Sequence, residues 1–116
     1  MESESPRGNS KQALLPLQIE RERDVGGVGM GVLSDGTPFL TQRGLAALCG
    51  VMKAHIGTIS ADWNVLPTKP RIVTIRRLLS ESGAVVAIPH IKVTSKGVDV
   101  HAYPDTICLA VLEYYA

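Results

Sequence analysis

Residues 42–61 read QRGLAALCGVMKAHIGTISA, and this stretch predicts two short helices joined by a tight turn. Ala46 is small enough for a second helix to pack closely against the first. Gly50 can adopt the positive φ that ends a helix, because it has no Cβ. Ile56 and Ile59 recur at helical spacing and would face the first helix. The apolar positions between these residues are filled by Leu45, Leu48 and Val51.

Residues 41–63 as a unit resemble the helix-turn-helix of phage repressors and related bacterial regulators. In that motif the N-terminal residues of the second helix enter the major groove of DNA. The resemblance implies an outward row of side chains, namely Lys53, Ala54, His55, Thr58 and Ser60. It also implies contacts with the DNA backbone from a mostly basic set, namely Gln42, Arg43, Arg71, Arg76 and Arg77. A helical hairpin that only packs in a core gives a similar pattern, so both interpretations stay open.

The basic residues are unevenly distributed, although the net charge of the chain is only +1. Residues 41–79 carry six basic side chains and one acidic side chain, a balance of +5. Residues 1–40 and residues 80–116 each have a balance of −2. A basic patch on a nearly neutral chain can face phosphates, which favours DNA as a partner. A solvated helix face would give the same excess, and that alternative stays open.

Two β-hairpins are predicted, one on either side of the helical stretch. The first turns at Asp35-Gly36, where glycine accepts the positive φ of a tight turn. The second turns at Ser95-Lys96-Gly97, between runs that alternate apolar and polar residues. Their strands are predicted at residues 31–33 and 37–40, and at residues 91–94 and 98–102.

The remaining segments are assigned from periodicity, proline and glycine. A third helix is predicted to begin at Pro70 and to end at Gly83, and a last helix to begin at Pro104. Residues 84–88, AVVAI, predict a buried strand because they are apolar and rich in β-branched side chains. Residues 13–24 predict a strand or extended arm. A glycine-rich stretch that is expected to be flexible follows the arm, with Gly26, Gly27, Gly29 and Gly31.

The chain length of 116 residues and the charged fraction of 20% suit one globular domain. The prediction is a small, single α+β domain over residues 13–116, preceded by a disordered tail at residues 1–12. It has two β-hairpins, a central helix-turn-helix-like unit and a C-terminal helix. No apolar run approaches the roughly 18 residues of a membrane span, and the polar N-terminus does not resemble a signal peptide. A cytoplasmic protein is therefore expected.

The sequence contains no recognisable metal, cofactor or catalytic motif. His55, His90 and His101 are not spaced from one another, or from a cysteine, like metal ligands. Cys49 and Cys108 fall in apolar helical patterns, which predicts reduced core thiols. No phosphate loop, dinucleotide fingerprint or nucleophile elbow is present. The sequence therefore favours a non-enzymatic binding protein with no cofactor and no metal ion.

A wider resemblance draws on two segments of the chain. Residues 32–51 (VLSDGTPFLTQRGLAALCGV) and residues 88–116 (IPHIKVTSKGVDVHAYPDTICLAVLEYYA) resemble phage and mobile-element proteins of the antirepressor type. Such proteins often begin with a Leu-x-Asp-Gly-Thr hairpin that runs into a Thr/Ser-Gln-x-Gly helix. The matching positions are Leu33, Asp35, Gly36, Thr37, Gln42, Gly44, Gly97, Tyr103, Pro104 and Cys108. The resemblance implies a phage-type context and supplies no catalytic mechanism.

Two functions are consistent with these patterns. The first is a DNA-binding regulator, a phage-type repressor or antirepressor in a bacterial host cell, with duplex DNA as the preferred partner and a homodimer compatible with the motif. The second is an inhibitor of a host defence system, of the anti-CRISPR type, that binds a protein or nucleoprotein complex. The candidate residues for such an interface are Trp63, Tyr114 and Tyr115, because buried aromatic side chains dominate protein interfaces. Trp63 and Tyr103 would equally serve to cap the core.

Overall fold

The computed structural model describes residues 17–116 and has an α+β fold, as predicted. The predicted tail at residues 1–12, and the part of the arm before residue 17, lie outside the described residues. The strands are β1 (Ile19–Val25), β2 (Val28–Leu33), β3 (Pro38–Thr41), β4 (Ile91–Ser95) and β5 (Val98–Pro104). The helices are α1 (Gln42–Cys49), α2 (Lys53–Asp62), α3 (Pro70–Glu81) and α4 (Asp105–Tyr115).

The five strands form one sheet in the order β1-β2-β3-β5-β4, with antiparallel neighbours throughout. Pairing of β3 with β5 joins the strands before the helical region to the hairpin after it, and Leu40 lies opposite Tyr103. The sheet curls until its two edge strands approach each other. There the Ser95 hydroxyl donates to both carboxylate oxygens of Glu22 at 2.9 Å. The curl brings the tips of the β1–β2 and β4–β5 hairpins to the same end of the molecule.

Both predicted hairpin turns are confirmed. Gly36 has a φ of 89°, and the Asp35 carboxylate accepts a hydrogen bond from the Thr37 amide at 2.9 Å. In the second turn Lys96 and Gly97 both have positive φ, 52° and 80°. Two consecutive residues with positive φ match the right-handed twist of the flanking strands, so the turn fixes their register.

The expectation of a flexible glycine stretch after β1 is wrong, because these glycines build a third hairpin. Gly26 and Gly27 form its turn with φ values of 61° and 87°. Gly31 lies within β2, where an added Cβ would stand 2.8 Å from the Phe39 ring and would overlap the Arg21 carbonyl oxygen. Glycine is needed at this position because two neighbouring strands approach it closely.

The ends of α1 and α3 are set by local caps, at Gly50 and Pro70 as predicted. The Thr41 hydroxyl accepts a hydrogen bond from the Gly44 amide at 2.9 Å at the start of α1. Gly50 ends α1 in the left-handed conformation with a φ of 70°. Pro70 occupies the first turn of α3, where its missing amide hydrogen costs nothing. Leu48 departs from the prediction, since its side chain is 49% exposed on the outer face of α1.

The predicted buried strand at residues 84–88 is wrong, since these residues form an irregular loop between α3 and β4. Val85 is 94% exposed and Ile88 is 55% exposed, whereas Ala84 and Val86 pack against the helical core. The loop carbonyls find side-chain donors instead of a neighbouring strand. Trp63 Nε1 donates to the Val86 oxygen at 3.3 Å, which satisfies the backbone without a sheet.

Two clusters of buried side chains hold the fold together. The larger one fills the space among the four helices and includes Tyr103 from β5. The smaller one lies inside the curled sheet and consists of Leu33, Phe39, Val93 and Ala102. The helix pair formed by α1 and α2 rests on the first cluster, with its N-terminal ends next to the hairpin tips.

Candidate nucleic-acid interface

The helix pair α1–α2 has the geometry of a helix-turn-helix. The two helices are bent by 114° across a short break, within the roughly 90–120° range of the motif. Ala46 on α1 and Ile56 on α2 are 3% and 1% exposed and belong to the same buried cluster. The Val51 amide donates to the Ala46 carbonyl at 3.0 Å, which fixes the path of the chain after Gly50. Ala46 and Ile56 are therefore buried in one core cluster, whereas Leu48 is exposed.

Gln42 joins the two helices rather than pointing into solvent. Its side-chain amide nitrogen donates to the Lys53 carbonyl at 3.1 Å. The same nitrogen would lie 2.8 Å from a Cβ added to Gly57. Glycine within α2, which costs about 1 kcal/mol relative to alanine, therefore makes room for this bridge. One of the two side-chain amide hydrogens of Gln42 thus serves the helix pair, and the contact of Gln42 with a DNA phosphate stays a prediction.

The exposed face of α2 carries most of the residues that were predicted to enter the major groove of DNA. Lys53, Ala54, His55 and Thr58 are all exposed, as the helical period predicts. Ser60 is not on this face. Its hydroxyl is half-buried and hydrogen-bonds to the Tyr103 hydroxyl at 2.7 Å and to the His90 ring at 3.1 Å. The outward placement of Ser60 is therefore corrected, because its polar atom holds α2 against the sheet.

Several of the predicted phosphate-binding arginines have partners inside the protein. Arg71 lies 3.6 Å from the Asp62 carboxylate, and Arg77 lies 2.9 Å from Glu81 one turn later on α3. Arg76 stacks over the Trp63 ring at 5.2 Å and donates to the Trp63 carbonyl. The Arg71 and Arg76 contacts connect α3 to the C-terminal end of α2, whereas the Arg77 pair lies within α3. All three contacts would compete with the phosphate contacts that the sequence suggested.

Arg43 and Lys53 remain as the basic residues of the helix pair that face outward. Both line a cleft of about 530 Å³ between the helix pair and the hairpin tips. No ion pair within residues 17–116 involves either of them. The other charged side chains of the cleft come from the sheet, namely Arg23, Lys96, Glu22, Asp24 and Asp99. The cleft therefore carries four cations and three carboxylates, with its surplus of positive charge on the helical side.

The aromatic residues predicted for a protein interface are largely internal. Trp63 and Tyr103 are each 1% exposed, so the core-capping alternative is the one observed. Tyr114 and Tyr115 are half-buried and meet edge to face with ring centroids 5.0 Å apart. Trp63 is therefore excluded as an exposed anchor, whereas the tyrosine pair keeps part of its surface accessible.

A polar cluster that the sequence did not predict lies behind α2. The His90 and His101 rings stack with centroids 3.8 Å apart and planes 12° apart. Ser60 and Tyr103 complete the cluster through the two hydrogen bonds described above. Burial is the main cause that lowers the pKa of His90, and the charges of His101 and Lys92 add to it. Sequence spacing could not reveal the cluster, because its members come from α2, the 84–90 loop and β5.

The two cysteines occupy apolar surroundings on α1 and α4. Cys108 is 5% exposed, and burial is the main cause that raises its pKa to about 12. Burial also raises the pKa of the half-buried Cys49. Both thiols are consequently protonated and weakly nucleophilic at neutral pH.

Within residues 17–116 no group of three or more His, Cys, Asp or Glu side chains is arranged to hold a metal ion. No single helix of this part of the chain is both long and apolar enough to cross a membrane. Comparisons with protein-family models, with curated proteins and with solved structures give no match. The functional argument therefore depends on the geometry of the helix pair and its surroundings.

Proposed function

We propose that this protein binds duplex DNA through the helix pair and acts as a non-enzymatic regulator of the phage repressor or antirepressor type. The observation that carries the proposal is the 114° bend of α1 and α2, which leaves the N-terminal half of α2 exposed. A helix presented in this way can enter the major groove with its first residues. The cytoplasm of a bacterial host is the compartment that this role implies.

Base contacts would come from the exposed side chains near the start of α2. Thr58 can contact several base edges. Ala54 offers a methyl group of the size that packs against a thymine methyl. The Thr58 hydroxyl donates to the Ala54 carbonyl at 2.8 Å, so toward DNA it would serve as an acceptor. This set is small, which favours modest sequence discrimination by one copy of the chain and a larger discrimination by a homodimer.

The structure reduces the number of phosphate contacts expected from the basic middle third of the chain. Arg43 and Lys53 are the two outward cations of the helix pair, whereas Lys69, Arg71 and Arg77 lie in ion pairs. Each phosphate contact contributes about −0.9 to the slope of log affinity against log salt. We therefore expect a slope near −2 per bound copy from the helix pair alone.

The test is a fluorescence anisotropy titration of a labelled duplex over roughly 50 to 200 mM salt. Replacing Arg43 and Lys53 together by Ala should flatten the salt slope by about 1.8 and weaken binding. Arg77→Ala is the matched control, since its guanidinium already pairs with Glu81 on the outer face of α3. No binding by the wild-type protein at about 50 mM salt would reject the proposal, as would equal slopes for the double variant and the control.

A protein or nucleoprotein target of a host defence system is the second candidate, and one observation favours it. Leu48 and Met52 are 49% and 74% exposed on either side of the turn between α1 and α2. Exposed methionine and leucine at one turn are suited to a protein interface, where methionine is enriched. The half-buried Tyr114 and Tyr115 would supply the aromatic part of this alternative.

Substituting Leu48 and Met52 together by Ser separates the two candidates. A DNA-binding protein should keep its duplex affinity, because neither side chain lines the cleft beside the helix pair. An inhibitor should lose its effect on target cleavage by an RNA-guided nuclease complex, which the wild-type protein would suppress. Inhibition by the wild type and its loss in the variant, with no duplex binding by either, would establish the second candidate.

A further inference from the structure

Residues 84–90 connect α3 to β4 without regular structure, and we refer to them as the strap. Three side chains contact the strap: Ser60 from α2, and Trp63 and Asn64 from the residues just after it. Trp63 Nε1 donates to the Val86 carbonyl at 3.3 Å, and Asn64 Nδ2 donates to the Ala87 carbonyl at 3.0 Å. The Ser60 hydroxyl bonds to the His90 ring at 3.1 Å. These three polar contacts tie the strap to the end of α2, in addition to the packing of Ala84 and Val86 on the helical core and the burial of Pro89, and the strap has no strand partner.

The stacked histidines make one end of the strap sensitive to charge. His90 lies on the strap and His101 on β5, and their ring centroids are only 3.8 Å apart. Two imidazolium ions at that separation would repel each other strongly in a half-buried site. His101 Nδ1 is buried and has no hydrogen-bond partner among the described residues. The direct neighbours of His90 are the His101 ring, the Ser60 hydroxyl and the Tyr103 ring, and none of them is a carboxylate.

The charged groups around the pair also disfavour protonation of His90. Lys92 on β4 lies opposite His101 in the sheet register and acts on His90 as a like charge. Tyr103 faces both rings, at 5.9 Å from His90 and 6.4 Å from His101, and burial raises its pKa, so it stays neutral. The open side of His101 borders the cleft, whose charged residues are Arg23, Arg43, Lys53, Lys96, Glu22, Asp24 and Asp99. Cations outnumber carboxylates in that set.

We propose that the strap is a pH-sensitive clasp, closed against α2 and Trp63 while His90 is neutral, and released when His90 takes up a proton beside the His101 ring. Release returns His90 to water, where an imidazole has its ordinary affinity for protons. A group whose pKa is lower in the closed state stabilises that state above its open-state pKa, near 6.5, and ceases to do so as the pH falls. Each pKa unit between the two states changes the open-to-closed ratio tenfold.

Trp63 provides a direct reporter of this release, because it is the only tryptophan in the chain. Its ring is 1% exposed, and its indole nitrogen bonds to the strap itself. Opening the strap would expose the indole edge to water and shift its fluorescence emission to longer wavelength. The clasp does not depend on what α2 binds.

The experiment is a fluorescence titration from about pH 8 to about pH 5, with far-ultraviolet circular dichroism recorded on the same samples. We expect a red shift of Trp63 emission with a midpoint below about 6.5 while the helical signal persists. His55→Gln, on the exposed face of α2, should behave like the wild type. His90→Gln should give an emission that does not change over the range. His101→Gln should still give the red shift, but with its midpoint moved toward 6.5, because burial of His90 remains and the neighbouring like charge is removed.

A second measurement keeps the test decisive if a histidine variant fails to fold. In wild-type protein, NMR should show the His90 ring titrating below about 6.5, with strap amides shifting at the same midpoint. A His90 midpoint at or above that value would overturn the proposal. So would constant Trp63 emission in folded protein down to about pH 5, or a red shift that persists in folded His90→Gln. Coincident loss of the helical signal would likewise overturn it, because the event would then be global unfolding.

Discussion

The helical half of the molecule and the curled sheet bury their side chains in different ways. The helical cluster contains large residues that are fully enclosed, among them Trp63, Ile72 and Ile75 at 0–1% exposure. The sheet encloses four residues, Leu33, Phe39, Val93 and Ala102, with partly exposed neighbours around them. An apolar cleft of about 800 Å³ opens beside Phe39, so one side of the sheet core lies close to solvent.

The sheet compensates for its small core by close approach of the backbone. An added Cβ on Gly44 of α1 would stand 2.8 Å from the Gly29 nitrogen of β2. Gly31 similarly lets β2 lie against the Phe39 ring. The helical half depends on enclosed apolar area, whose removal costs the transfer energy and a cavity. The sheet depends on backbone contacts that only glycine permits, so the two regions should respond to different kinds of substitution.

The largest difference should appear in a matched pair of leucine truncations. Leu45 on α1 and Leu33 on β2 are both 0% exposed, but they lie in different clusters. Leu→Ala in a core costs about 2–5 kcal/mol, and the cost rises with the cavity that remains. We expect Leu45→Ala near the top of that range and Leu33→Ala near the bottom, because Leu33 belongs to a cluster of only four buried residues, one of which, Phe39, lines the open cleft and can relax. Urea denaturation curves measure both, and a larger loss for Leu33→Ala would contradict the comparison.

The helices were predictable from the sequence because their signals are local. Thr41, Gly50 and Pro70 mark ends through caps and turns that involve only nearby residues. The outward positions of Lys53 and His55 then follow from the helical period. The third hairpin escaped prediction because glycine is compatible with both a flexible stretch and a close strand contact. The decisive neighbour of Gly31 is the Phe39 ring on the next strand.

The candidate site was predictable only in part, for the same reason. The exposed face of α2 depends on periodicity, whereas the partners of Gln42, Ser60 and Arg76 depend on tertiary packing. Ser60 meets Tyr103, which is 43 residues away, across a pairing of β3 with β5 that no local pattern indicates. Residues 84–88 were misjudged because β-branched composition favours a strand, while strand formation also requires a neighbouring edge.

Two glycine substitutions in the sheet should have effects of intermediate size on stability, and they separate the cost of a steric overlap from the cost of an unfavourable φ. Gly31→Ala places a Cβ against the Phe39 ring and the Arg21 carbonyl, and overpacking of this kind costs roughly 1–3 kcal/mol. Gly36→Ala is the matched control, because a Cβ there meets nothing within 4 Å and only the φ of 89° is unfavourable. That strain costs about 1 kcal/mol. Thermal denaturation should give a lower melting temperature for Gly31→Ala than for Gly36→Ala. If Gly31→Ala leaves the melting temperature unchanged, close backbone contact at glycine is not what distinguishes the sheet from the helical half.

The smallest effect should come from the Asp35 carboxylate at the exposed tip of the β2–β3 hairpin. Hydrogen bonds from the Thr37 side chain and the Thr37 amide lower its pKa from the ordinary value of 3.8. A carboxylate whose pKa is lowered by folding stabilises the folded state above that ordinary value and ceases to do so as the pH falls through the lower one. Asp35→Asn can still accept from the Thr37 amide, but it does not titrate. Between about pH 5 and pH 3 the wild type should therefore lose slightly more stability than the variant, by at most about 0.5 kcal/mol because solvent screens the group. Melting temperatures of the two proteins over this range measure the difference, and parallel curves would show that the turn is held by its glycine conformation without help from the charge.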